Sequence, residues 1–121
     1  MRELSQIIIN AQPSASNQTS VAIDASQIFS ASVQGVFSDN TAAGTLILQA
    51  SNDLIAAANL YSDTTPTNWT LIPNATVTVV AGASVIILVP VCSFRSIRAV
   101  FTSTNGSATA TVTVQLDAKS V

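Results

Sequence analysis

The sequence predicts an all-β fold, a single antiparallel sandwich, on three observations. Apolar residues recur at every second position in one segment after another. No segment carries an apolar stripe of helical period through three turns. Clusters of Asn, Asp, Gly, Pro and Ser interrupt the chain at the spacing of short strands. A length of 121 residues has room for one domain that buries its own core.

From the amino terminus, Ile7-Ile8-Ile9 reads as a short leading strand, apolar on both faces, and the Asn, Gln, Ser and Thr residues around Pro13 read as a flexible link. Residues 1–19 are thus expected to form an arm and linker, and residues 20–121 the sandwich domain. In the first long strand Phe29, Ala31, Val33, Gly35 and Phe37 share one face of the pleat, with Ser30, Ser32 and Gln34 opposite. Ser38-Asp39-Asn40 turns the chain into a strand whose inner face is Leu46, Leu48 and Ala50, and Ser51-Asn52-Asp53 ends it, with Asp53 expected to cap its own turn. Leu54–Tyr61 suits a helical turn, and residues 62–66 follow as a loop. Trp69 enters the next alternating segment, where a lone Trp is expected in the core. Pro73-Asn74 and Ala81-Gly82 are the turn signals that follow. Val85–Val89 is apolar on both faces and needs cover on both, while Ile97, Ala99 and Phe101 line a single face. Asn105-Gly106 tolerates positive φ at both residues and predicts a tight hairpin into the last strand, where Ala108, Ala110, Val112, Val114 and Leu116 point inward and Thr109, Thr111, Thr113 and Gln115 outward.

Only 8% of residues are charged and 48% are hydrophobic, with a net charge of -2 and a mean hydropathy of +0.49. An ordinary soluble domain carries roughly 25% charged residues. So little mutual repulsion predicts self-association, and Ile7, Ile8, Ile9, Val85, Ile87 and Val89 are the expected contact residues. The best apolar run, residues 81–91, contains Gly82, Ser84 and Pro90 and is shorter than the roughly 20 residues of a membrane-crossing helix. Ile7-Ile8-Ile9 is broken at once by Asn10, Gln12 and Pro13, so no cleaved export signal is expected and the chain is expected to be made in the cytoplasm. Cys92 is a lone cysteine, expected to act as a small buried hydrophobe.

The chemistry of the side chains argues against an enzyme. With no histidine, the commonest general base and metal ligand are missing, and one cysteine serves zinc poorly; loop Asp and Asn side chains could hold calcium, but no EF-hand-like spacing is present and solvated turns are the better account, so no cofactor or metal is expected. Asp39 and Asp53 flank opposite ends of a strand that spans nearly 20 Å at about 3.3 Å per residue, too far apart for paired carboxylate catalysis. Nucleic acid needs a basic stripe, and Arg2, Arg95, Arg98 and Lys119 are too few; Arg95 and Arg98 also have opposite parity in one strand. Tyr61 and Trp69 are the alternative, a candidate platform for stacking a sugar.

The segments Gly44-Thr45-Leu46-Ile47-Leu48-Gln49-Ala50-Ser51-Asn52-Asp53, Asn68-Trp69 and Arg95-Ser96-Ile97-Arg98-Ala99-Val100-Phe101 occur in the order found in a diffuse set of small bacteriophage virion proteins, which this chain resembles from about Ser20 to Lys119. The resemblance implies a jelly-roll-like sandwich built into a phage particle, and it carries over no catalytic residue. Together with the composition it predicts a non-enzymatic capsid decoration or cement protein, located in the virion and forming a symmetric oligomer with a trimer favoured, whose partners are copies of itself and the major capsid protein, with no nucleic acid and no membrane. The alternative is a receptor- or glycan-binding module of a fibre, spike or tail.

Overall fold

The computed structural model describes residues 3–53 and 66–120, which form nine strands and no helix. The strands are β1 (Glu3–Pro13), β2 (Gln18–Thr19), β3 (Ile23–Asp24), β4 (Ile28–Phe37), β5 (Ala43–Ser51), β6 (Thr70–Val79), β7 (Val85–Val89), β8 (Ser96–Asn105) and β9 (Thr111–Ser120). They pair antiparallel throughout, in a four-stranded sheet ordered β1-β9-β4-β7 and a five-stranded sheet ordered β2-β8-β5-β6, with β3 also on β8. With β2 and β3 taken as one interrupted strand, this is the eight-lane double Greek key of a jelly roll, as expected.

The alternation places the core between the sheets. Val33, Leu46, Leu48, Val79, Phe101, Val112 and Val114 are fully buried, drawn from both layers. Phe37 of β4 and Phe101 of β8 meet across the sandwich with ring centroids 5.4 Å apart, a tilted pairing that joins the two sheets. The inward rows of β5, β8 and β9 fall as the period-two pattern predicts, except that Ala108 lies before the strand and is exposed.

Four expectations need correction, besides the Pro73-Asn74 turn, which instead lies inside β6 with Asn74 at a φ of 64°. Residues 3–13 are not a detached arm: β1 pairs with β9 from Glu3↔Lys119 to Pro13↔Thr111 and buries Ile9 in the chain's own core. Its two register shifts, around Ile9, break the alternation and make the segment look unlike a sandwich strand. Phe29 points outward, 44% exposed, because an irregularity between Ile28 and Ser30 shifts parity and puts Ile28 inward instead. Asn105-Gly106 does not close a hairpin: β8 and β9 belong to different sheets, and the connection crosses the sandwich. Gly106 is needed there for close approach, since a Cβ on it would lie 2.9 Å from the Ser14 carbonyl oxygen. Trp69, fourth, is half-buried and outside the core cluster. The helical turn expected at Leu54–Tyr61 lies outside the described residues.

The Ala81-Gly82 turn links β6 to β7 as expected. Both residues have positive φ, 51° and 65°, and Ala83 N donates to Val80 O at 3.1 Å, which is the primed turn geometry.

Candidate interaction surfaces

The outer face of the four-stranded sheet is built from alternate residues of four strands. The register aligns two rows across it: Ile7, Gln115, Gln34 and Ile86 in one, and Ser5, Asp117, Ser32 and Leu88 in the next. Within the second row the Ser5 hydroxyl donates to the Asp117 carboxylate. A shallow groove of about 360 Å³ crosses one end of this face, lined by Leu4, Ser5, Ser32, Leu88, Asp117 and Lys119 among others. The face is therefore polar in the middle, where Asp117 and Lys119 of β9 carry charge, and apolar at Ile7 near one margin and at Ile86 and Leu88 on the other.

That arrangement reverses part of the expected contact set. Ile87 and Val89 are each 3% exposed and Ile9 is 4% exposed, so all three belong to the core. Ile8 and Val85 are half-buried and packed against it. Of the six residues named from sequence, Ile7 alone is an open large side chain, while Ile86 and Leu88, at 59% and 68%, carry the outward row of β7. A strand apolar on both faces gives no sequence cue to which parity faces the core; the pairing with β4, through Val33↔Ile87, decides it.

On the five-stranded sheet the feature of interest is Trp69. Its indole Nε1 donates to Pro66 O at 3.1 Å, and the Arg98 guanidinium lies 4.4 Å from the ring centroid, close enough for cation–π attraction. Arg98 Nε in turn donates to Gln49 Oε1 at 2.7 Å. The parity argument was right for Arg98, which points away from the core, and its task here is to hold Trp69 and Gln49. One ring face of Trp69 is thereby occupied. Tyr61, the other half of the candidate platform, lies outside the described residues.

The two loop carboxylates act as staples. Asp53 accepts from the backbone N–H of Thr67 and of Asn68, each at 2.9 Å, and from Asn68 Nδ2, and these bonds hold its carboxyl below the usual carboxylate range. It joins the end of β5 to the approach to β6 and so does more than cap its own turn. Asp39 accepts from Thr41 Oγ1 at 2.6 Å, from Thr41 N, and from Ser107 Oγ at 2.9 Å, tying the β4–β5 turn to the β8–β9 crossing, and its carboxyl is likewise lowered, first by the Thr41 hydroxyl. Burial raises the Cys92 thiol. Among the described residues no three His, Cys, Asp or Glu side chains gather as a metal site requires.

No protein-family model matches the sequence, and no curated protein matches it either. Among solved structures the chain is similar to the SPBc2 prophage-derived protein YomS, with a TM-score of 0.57 at 10% identity, covering 97% of this chain and 92% of that one. It is equally similar in fold to the PBSX exported protein XepA, TM-score 0.57 at 19% identity, where it spans 98% of itself and 37% of the other chain. PirA follows with a TM-score of 0.51 at 12% identity, covering 96% and 91%. At such identities the likeness is one of fold.

Proposed function

We propose that this chain is a non-enzymatic structural protein of a bacteriophage particle, a decoration or cement protein that works through the area it buries against copies of itself and the major capsid protein. The observation that carries this reading is the outer sheet surface. Its exposed positions are Ser, Thr, Gln and apolar side chains, with Asp117 and Lys119 as the charged members of the four-stranded face. Such a surface loses little charge solvation when covered and has little charge to keep copies apart. The fold shared with a prophage-derived protein supports the same reading. The test is to purify particles of the phage or prophage that carries the gene and quantify this chain by mass spectrometry. A fixed ratio to the major capsid protein is the expected result; particles that lack it overturn the proposal.

A second reading, a glycan- or receptor-binding module, is favoured by one observation: Trp69 sits half-buried on the sheet rather than in the core. Titrating the intrinsic fluorescence with cell-wall oligosaccharides decides it, since this reading requires a saturable shift that Trp69→Phe abolishes.

A further inference from the structure

Four margins border the two sheets, and three carry devices that discourage pairing with another chain. β1 has two register shifts and ends on Pro13. β6 contains Pro73 and a left-handed Asn74, φ 64°, beside a register shift against β5. β2 and β3 are two residues each. Charge, proline, bulges and brevity are the usual protections of an edge strand. β7 is short and is followed by Pro90, but it has neither charge nor bulge: Val85-Ile86-Ile87-Leu88-Val89 runs in unbroken register with β4 and is wholly apolar. Its setting is equally unguarded. No residue between Asp63 and Arg95 is charged. Of the ten exposed large hydrophobics among the described residues, Leu71, Val80, Ile86, Leu88 and Val91 lie on β6 and β7 or beside them, and these two strands adjoin along one flank.

We propose that β7 joins two copies of this chain, antiparallel, about a two-fold axis at Ile87. The reason for a second copy is that the strand is its own complement. Under that axis Ile87 meets Ile87, Val85 meets Val89, and the exposed Ile86 meets the exposed Leu88, so outward side chains pair with outward ones and inward with inward. A slip of one residue would set outward Ile86 against inward Ile87 and is disfavoured. β-branched and leucine side chains directly opposite stabilise an antiparallel pair, and no like charges oppose one another. The product is a continuous eight-stranded sheet running from β1 of one copy to β1 of the other. A five-residue edge is only about 17 Å long. It therefore buries less than the ~800 Å² per partner of a standard interface, and the contact is weak in dilute solution and effective where copies are concentrated on a particle. This inference rests on the assembly reading above, and by itself it closes a dimer rather than the trimer expected of a decoration protein.

Sedimentation velocity from about 10 μM to about 1 mM tests it. The full chain is expected to pass from monomer to dimer, and Ile86→Lys/Leu88→Lys, at exposed positions that leave the core intact, to remain monomeric, while Ile7→Lys on the far margin dimerises as before. Register is read by oxidation in a Cys92→Ala background. Ile86→Cys/Leu88→Cys is expected to cross-link into dimers readily, and Ile86→Cys alone much more slowly. A wild-type monomer at every concentration, a charged variant that still dimerises, or equal cross-linking of the single and double variants overturns the β7 contact. A monomer that is nevertheless present in purified particles refutes this contact and leaves the assembly reading standing. A β7 dimer absent from particles does the reverse.

Discussion

Ile9 and Ile7 sit two residues apart in β1 and should respond very differently to truncation. Ile9 is 4% exposed and faces Val114 in register, whereas Ile7 is 52% exposed and lies opposite Gln115. Replacing Ile9 by Ala removes three carbons from the core, a transfer loss of about 2.4 kcal/mol at ~0.8 kcal/mol per methylene, and the cavity left between the sheets adds to it, so about 3 kcal/mol is expected. Ile7→Ala forfeits about half of the transfer loss and leaves no cavity, for about 1 kcal/mol. In urea, at an m-value of about 1–3 kcal/mol/M, the Ile9 change moves the midpoint down by roughly 1–3 M and the Ile7 change by a third of that. Ile9→Val, one methylene smaller, falls between Ile9→Ala and the wild type at about 1 kcal/mol. Equal midpoint shifts for Ile7→Ala and Ile9→Ala, or none for either, would refute the placement of β1 in the chain's own sandwich and restore the detached arm.

Three further outcomes follow from named contacts. Gly82→Ala places a Cβ 1.9 Å from the Asp39 carbonyl oxygen at a φ of 65°, so chemical denaturation should show a loss of about 2 kcal/mol or more; a neutral result would mean that the β6–β7 turn is built differently. Ser14 is fully buried and its hydroxyl has no partner among the described residues, so Ser14→Ala should raise the melting temperature by relieving about 1 kcal/mol of desolvation, and a fall would reveal a partner for that oxygen. The carboxyls of Asp39 and Asp53 are both lowered by hydrogen bonds to their charged forms, so their contribution is complete above the unfolded value of about 3.9 and is lost as pH falls through the folded values. Melting curves from neutral pH to about pH 2 should drop below about pH 4, and Asp39→Asn/Asp53→Asn should flatten that drop if these two staples cause it.

Legibility from sequence tracked the physics of each element. Where one face is apolar and the other is Thr, Ser or Gln, as in Leu46-Leu48-Ala50 or Val112-Val114-Leu116, the period alone assigned the core correctly, because a slip would expose the whole row. It failed where both faces are apolar. Nothing within Val85–Val89 says which set meets the core, and the answer comes from Val33 and Gly35 on a strand some fifty residues away in sequence. It failed again at bulges, since Phe29 and the Ile7–Gln12 stretch obey no single parity. The turn at Asn105-Gly106 shows a third limit: local turn chemistry indicates that the chain bends but not which sheet it enters next. Trp69 was misplaced because its partners are polar: the Pro66 carbonyl and the guanidinium of Arg98, which Gln49 on another strand holds in turn.

The distribution of charge connects these observations to assembly. Within the described strands charged residues fall on β1, β3, β8 and β9, with Asp39, Asp53 and Arg95 between strands, while β4, β5, β6 and β7 carry none. The sandwich therefore presents neutral hydroxyls and amides over most of both outer faces. Such groups keep an isolated domain hydrated, yet burying them against a surface that returns their hydrogen bonds costs far less than stripping water from an ion. A surface of this kind gains little from long-range charge steering and depends on close fit over area. The chain has concentrated its edge-protecting features on three margins and left the fourth apolar, in unbroken register and self-complementary. The same deficit of charge that makes the free monomer poorly defended thus makes β7 the margin where a second copy can add with the least to undo.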